Sequence, residues 1–252
     1  MSSARALVTG ASSGLGLAFA RALAARGDAL VLVARDRVRL QAVAADLARS
    51  HGADVSVVAA DLSTDEGIAA AAEALADETR PVDLLVNNAG FGQRLSFADN
   101  DLAEERQSLD VHVRAPLQLC HAALPGMRSR GRGAIVNVSS VAGWLPRGSY
   151  GAHKAWVTSF TRWLDIAYRR DGVRAMALCP GFVRTEFHQR MGAEMAVRRW
   201  MWLDADAVVA EALHDLVAGA RVSVPSRRYR LLARVARLLP ARLVAGVADR
   251  AR

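Results

Sequence analysis

The chain has 252 residues, is 52% hydrophobic and carries a formal charge of +8. That length suits one large domain or two small ones with a real core. Two cysteines, Cys120 and Cys179, exclude a disulfide framework and a CxxC metal site, and they read as small apolar residues in a reducing compartment.

At the N-terminus, "MSSARALVTG" runs into a strand with no apolar leader, and no uncharged run reaches the roughly 18 residues that a bilayer span needs. A cytoplasmic protein is expected. Short β-branched and aliphatic runs then alternate with longer Ala-, Leu- and Arg-rich stretches of helical period. Strands are predicted at Ala6–Thr9, Leu30–Val33, Val55–Ala59, Leu84–Asn87, Ile135–Val138, Ala175–Leu178 and Val222–Val224. Helices are predicted near 15–26, 36–49, 65–78, 101–129, 149–170 and 204–218. Continuous apolar strands are those buried on both faces, and strict alternation with helices implies right-handed crossovers in a parallel sheet. The expected fold is α/β, a Rossmann-type doubly wound parallel sheet of about seven strands with helices on both faces.

The first strand ends in "TGASSGLG" and opens directly into a helix. Glycines in that context let backbone N–H groups approach a pyrophosphate at a helix N-terminus, where the dipole favours negative charge. Gly10, Gly14 and Gly16, with Ser12, Ser13 and Leu15 between them, are therefore candidates to hold a dinucleotide. The second strand ends in "VLVARD". A carboxylate there suits the ribose hydroxyls of NAD(H), whereas an arginine suits the 2′-phosphate of NADP(H). Arg35 favours NADP(H); Asp36 keeps NAD(H) open, since it could touch a ribose or simply cap the next helix.

Lys154 is the only lysine in a chain whose other cationic side chains, histidine aside, are all arginine, and it follows Tyr150 by four residues on a predicted helix. That spacing puts both side chains on one face. An ammonium near a phenol stabilises phenolate, so Lys154 is expected to lower the tyrosine pKa and make it a usable acid or base. Ser139 and Ser140 follow the fifth strand, at the end of the sheet where sites in this fold lie.

These motifs, with "DL" at Asp61 and Leu62, "NNAG" at Asn87 to Gly90 and "PGFVRT" at Pro180 to Thr185, resemble the short-chain dehydrogenases/reductases, in their compact single-domain branch. The likeness runs from about Ala4 to Val224. It implies an enzyme acting on CH–OH or C=O groups. In it Ser140 holds the carbonyl oxygen, Tyr150 exchanges the proton, and Lys154 tunes Tyr150 and orients the nicotinamide ribose. It also implies that Asp61 and Leu62 border the adenine, and that Asn88, Ala89 and Gly90 line the groove. Val183 and Thr185 would contact the carboxamide and phosphates, with Pro180 and Gly181 also in the cofactor-binding set. Of the two serines, Ser140 is the reactive one by its place before "VAG", and Ser139 turns into the sheet. Two departures stand out: the serine-to-tyrosine loop is short, and His112 occupies the place of a relay asparagine. Imidazole both donates and accepts, so His112 suits a relay as well as a plain structural role. Family members are often dimers or tetramers, so a homo-oligomer is expected.

Residues 1–225 thus form a predicted dinucleotide-binding catalytic domain, with a substrate lid at about 182–203. Phe187, Met191, Met195, Trp200, Met201, Trp202 and Leu203 make the lid suited to an apolar or acyl substrate, or equally to core packing or a subunit contact. The tail, 226–252, holds eight arginines and one aspartate, +7 of the chain's +8. Arg227, Arg230, Arg234 and Arg237 recur at helical steps beside Leu231, Val235, Leu238 and Leu239. A cationic amphipathic helix suits contact with an anionic membrane surface, and equally a terminal helix packed on its own domain or on a partner subunit. The body carries no recognised nucleic-acid motif.

The reading is an NADP(H)-dependent oxidoreductase that reduces a small carbonyl substrate or oxidises the matching secondary alcohol. The alternative is a dinucleotide-binding scaffold that does little chemistry. A longer-branch epimerase is disfavoured by the glycine spacing and the lack of an extra domain.

Overall fold

The computed structural model describes residues 4–93, 97–146, 148–185 and 198–238. Its strands are β1 (Arg5–Thr9), β2 (Ala29–Ala34), β3 (Val55–Ala59), β4 (Leu84–Asn87), β5 (Gly133–Val138), β6 (Val173–Leu178) and β7 (Val222–Ser223). All seven pair in parallel, in the order β3-β2-β1-β4-β5-β6-β7. The inner strands are covered on both sides, which is why "LVLV" and "LLVN" read as unbroken apolar runs.

The helices are α1 (Gly14–Ala25), α2 (Arg37–His51), α3 (Asp65–Ala76), α4 (Leu102–Leu109), α5 (Ala115–Ser129), α6 (Gly148–Tyr168), α7 (Ala205–Val217) and α8 (Arg227–Leu238). Period-two alternation along the strands feeds two cores. Val8, Leu32, Val86 and Val136 pack with Phe19, Leu23 and Val209 on one side of the sheet; Leu7, Leu85 and Ile135 pack with Ile68, Leu119 and Leu164 on the other. Fully burying side chains such as Phe19 or Ile135 stabilises by roughly 1.5–3 kcal/mol each. The chain winds outward from β1 to β3, then returns to place β4 on the other side of β1. That reversal opens a crevice beyond the carboxyl ends of β1 and β4.

The stretch predicted as one helix over 101–129 divides into α4, a wider π turn at Asp110–Arg114, and α5. Pro116 is the physical reason. It has no N–H to bond one turn back, and its ring would press on the His112 carbonyl in a regular helix. The Ala115 N–H bonds five residues back, to the Asp110 carbonyl, and the turn that widens carries His112.

Beyond β7, Ser226 sits in the left-handed region at φ +80, and its N–H donates to Glu211 Oε2 at 3.0 Å. The chain then enters α8, which lies against the domain through Tyr229 and Ala233. Leu239 and Pro240 of the predicted tail, and Phe187, Met191 and Met195 of the predicted lid, lie outside the described residues.

Candidate active site

The glycine turn is built from backbone. Gly10 and Gly14 have φ of +66 and +55, a region that only glycine enters freely. A Cβ on Gly16 would lie 2.2 Å from the Gly10 carbonyl oxygen, and one on Gly10 would lie 2.9 Å from Asn88 Nδ2. Asn88 Nδ2 donates to the Thr9 carbonyl at 2.8 Å, and Thr9 Oγ1 accepts the N–H groups of Asn88 and Ala89 at 2.9 Å each. The end of β4 is thereby stitched to the turn, so Asn88 and Ala89 brace the groove wall.

Helices α2, α3, α4 and α7 are capped by Asp36, Thr64, Asp101 and Asp204. By contrast α1 begins at Ser13 with no side-chain cap and no acidic residue in its first turn. Its amides and positive dipole end remain available to an anion. Thr185 lies directly over this turn, its Cβ and Cγ2 both 3.3 Å from where a Gly14 Cβ would be. Ser12 is half-buried beside it, and Leu15 leans on the core.

At the end of β2 the carboxylate of Asp36 accepts the Arg39 N–H at 2.9 Å, which is the capping role left open for it. Arg35 stays exposed, 4.0 Å from Asp61 Oδ2. Asp61 Oδ1 accepts from Ser63, N–H at 3.0 Å and hydroxyl at 2.8 Å. Leu62, expected at the adenine border, is buried among Val33, Ile68 and Ala71 in the core. Its side chain does not reach the groove surface, because "DL" turns the leucine under α3.

Tyr150 and Lys154 share a face of α6, as their spacing predicts. The phenol hydrogen-bonds with Ser140, whose Oγ also accepts the Ala142 N–H at 3.1 Å. Ser139 turns away from the crevice, donating to the Lys154 carbonyl at 2.7 Å and pairing with Thr158 Oγ1 at 2.8 Å. Gly143 permits this close packing: a Cβ there would lie 2.8 Å from the Ala155 nitrogen. Lys154 is buried; its Nζ donates to the Val138 carbonyl at 2.9 Å and lies 5.6 Å from the Tyr150 ring centre.

The expected lowering of the tyrosine pKa does not emerge from this geometry. Burial pushes the Tyr150 phenol well above its usual value, and the Ser140 hydrogen bond only opposes it. Lys154 faces the ring, with its ammonium on a backbone carbonyl, and desolvation pushes that ammonium down to about 8.

His112 is buried, with its ring edge-on to Tyr150 at 5.4 Å between centres. Its Nε2 is 2.9 Å from the Phe91 carbonyl oxygen and 3.3 Å from the Phe91 nitrogen, so this backbone holds the ring, and Nδ1 is buried without a partner among the described residues. Burial, and next the Lys154 charge, hold it well below the usual histidine pKa, so it is neutral. Gly90 makes room for the imidazole, since a Cβ there would lie 2.5 Å from His112 Cε1.

Two features escape a reading by motif. His153 stacks on His112 at 6.2 Å, and its Nδ1 is 3.3 Å from Ser108 Oγ. Its position directly before Lys154 was the available signal. Tyr229 of α8 lies flat on Gly181, with ring atoms 2.0–2.3 Å from where a Cβ would be. Its hydroxyl accepts the Phe182 N–H at 3.2 Å and donates to the Met201 carbonyl at 2.8 Å. Val183 pairs with Leu203 beside it, and the Pro180 carbonyl accepts the Val141 N–H at 3.1 Å, joining this region to the Ser140 loop. No local pattern announces a contact between positions 48 residues apart, such as 181 and 229.

The family model for short chain dehydrogenases matches residues 4–196. Sulfoacetaldehyde reductase 2 of Chromohalobacter salexigens is 36% identical over 217 residues, covering 84% of this chain and 85% of that protein. Among solved structures, a short-chain dehydrogenase from Sphingobium yanoikuyae in complex with NADPH superposes with a TM-score of 0.86 at 33% identity, over 92% of this chain and 93% of that one. The bulky-bulky ketone specific alcohol dehydrogenase from Comamonas testosteroni does so with a TM-score of 0.81 at 29% identity, over 92% and 91%. The chain belongs to the short-chain dehydrogenase/reductase family and is an oxidoreductase of that class.

Proposed function

We propose that the protein is an NADP(H)-dependent reductase of a carbonyl on an apolar or acyl-type small molecule, able to run the matching alcohol oxidation in reverse. The observation that carries this reading is the Ser140–Tyr150 hydrogen bond beside buried Lys154, just beyond the carboxyl end of β5 on the crevice side of the sheet. The residues fit a dinucleotide: the uncapped α1 terminus and the glycine turn suit its pyrophosphate, and exposed Arg35 suits a 2′-phosphate. Gly10, Ser12, Ser13, Gly14, Gly16 and Thr185 would hold the phosphates; Asn88, Ala89 and Gly90 form the groove wall. A bound nicotinamide supplies the hydride that becomes the new C–H bond.

The proton is the chain's own contribution. A phenol pushed above its usual pKa keeps its proton at neutral pH, which suits the acid in carbonyl reduction. The Tyr150 O–H bond breaks as the substrate O–H forms, and Ser140 is placed to hold the same oxygen while charge grows on it. Lys154, its pKa lowered by burial to about 8, stabilises the phenolate left behind, and one proton taken up from solvent restores the phenol after each turnover. The Nδ1 of His112, in the place of the asparagine and without a partner among the described residues, is the ring atom open to a relay toward that ammonium.

Phe182 and Trp202, 5.8 Å between ring centres, support an apolar substrate, as does the likeness to a dehydrogenase named for bulky ketones. The exposed Leu117, Trp163 and Ile166 on α5 and α6 support assembly with a second copy. NADPH and NADH oxidation should be followed against a panel of apolar ketones, aldehydes and 3-oxoacyl thioesters. Tyr150→Phe is expected to lower kcat by a factor of about 100 or more with NADPH affinity nearly unchanged. Full activity in that variant, or no turnover of any panel member by the wild type, leaves the dinucleotide-binding scaffold as the better reading.

A further inference from the structure

With Tyr229 and Ala233 turned into the domain, the opposite face of α8 is outward. Leu231, Leu232 and Val235 lie together on that face and are 63%, 45% and 45% exposed. Arg227 and Arg234, one turn to either side of Leu231, are exposed too. Arg230 is taken by Glu211 at 3.1 Å. Arg228 donates to the Trp200 carbonyl and lies 5.9 Å over its ring, and that indole is itself 50% exposed. Helix and neighbouring Trp200 therefore offer aliphatic side chains, an indole and the exposed guanidinium groups of Arg227 and Arg234 on one surface.

We propose that this outer face of α8 docks on an anionic lipid surface. The aliphatic residues and Trp200 call for an apolar medium, while the arginines call for negative charge; a lipid interface satisfies both at once. A second copy of the chain does not, because two segments of +7 each would be brought together. A nucleic acid answers the arginines and leaves three exposed aliphatic side chains against phosphate. No helix among the described residues is long and apolar enough to cross a membrane, so the contact is peripheral. Tyr229, on the inner face of the same helix, bridges Phe182 and Met201. Docking would therefore set Phe182 and Met201 close to the lipid.

The test is sedimentation of the full chain with phosphatidylcholine vesicles and with phosphatidylserine-containing vesicles, at low and high salt. Binding is expected to the anionic vesicles alone and to weaken with salt. Two variants, Arg227→Glu with Arg234→Glu, and the triple change of Leu231, Leu232 and Val235 to Ser, should each lower partitioning by about tenfold or more. Circular dichroism confirms that both variants keep the fold, since every altered side chain is on the surface. The proposal is overturned by no binding to anionic vesicles at low salt. It is equally overturned if the serine variant binds as wild type while duplex DNA competes fully, or if that variant changes the oligomeric state, which makes the face a subunit contact.

Discussion

The two walls of the crevice are built by different means. On the cofactor side, the turn from Thr9 to Gly16 is held by backbone: left-handed glycines, a carbonyl 2.2 Å from where a side chain would begin, and Asn88 bonded to Thr9. On the side proposed for the substrate, the stems at Phe182 and Met201 are joined through one phenol reaching in from α8. A wall made of backbone admits almost no substitution, whereas one made by a single side chain can be retuned without disturbing the sheet. The first kind suits a ligand shared by many relatives, and the second suits a substrate particular to one.

Substitutions on each wall put that contrast at risk. Gly16→Val on the cofactor wall is expected to have the largest effect. The branched side chain meets the Gly10 carbonyl, overpacking costs about 1–3 kcal/mol, and the displaced turn should no longer bind NADPH. Near-normal affinity by calorimetry would show that the turn is looser than its contacts state.

His112 lies between the walls and gives an intermediate effect. Its folded-state pKa is depressed, so the unfolded chain binds the extra proton first, and stability must fall as pH drops below about 6.5. Urea unfolding followed from neutral to acidic pH should show this fall lessened by about 1 kcal/mol in His112→Asn. An unchanged acid limb would mean that the imidazole already titrates normally in the fold.

Tyr229→Phe on the substrate wall should have the smallest effect. It keeps the ring on Gly181 and removes both hydroxyl hydrogen bonds, costing about 0.5–1.5 kcal/mol each. The expected kinetic result is a several-fold rise in KM for the carbonyl substrate, with NADPH affinity unmoved. A matching loss of NADPH affinity would erase the distinction between the walls.

How much was legible follows from the range of each cause. The inner strands were readable because burial on both faces leaves unbroken apolar runs, and the glycine turn because positive φ and close contact demand glycine. Tyr150 and Lys154 were readable because one helical turn sets their face. The break in the 101–129 helix was written in Pro116 yet hidden by the regular period around it. The packing of the Leu62 side chain under α3 is a contact that its motif does not announce.

The sequence by itself determined the doubly wound sheet, the position of the crevice and the order of Ser140, Tyr150 and Lys154, because local periodicity and backbone sterics act within a few residues. Only the tertiary structure decided that burial raises the tyrosine's proton affinity, that the Phe91 backbone holds His112, and that α8 joins Phe182 to Met201. Desolvation and long-range packing depend on what the rest of the chain brings alongside, and no spacing along the chain carries that information.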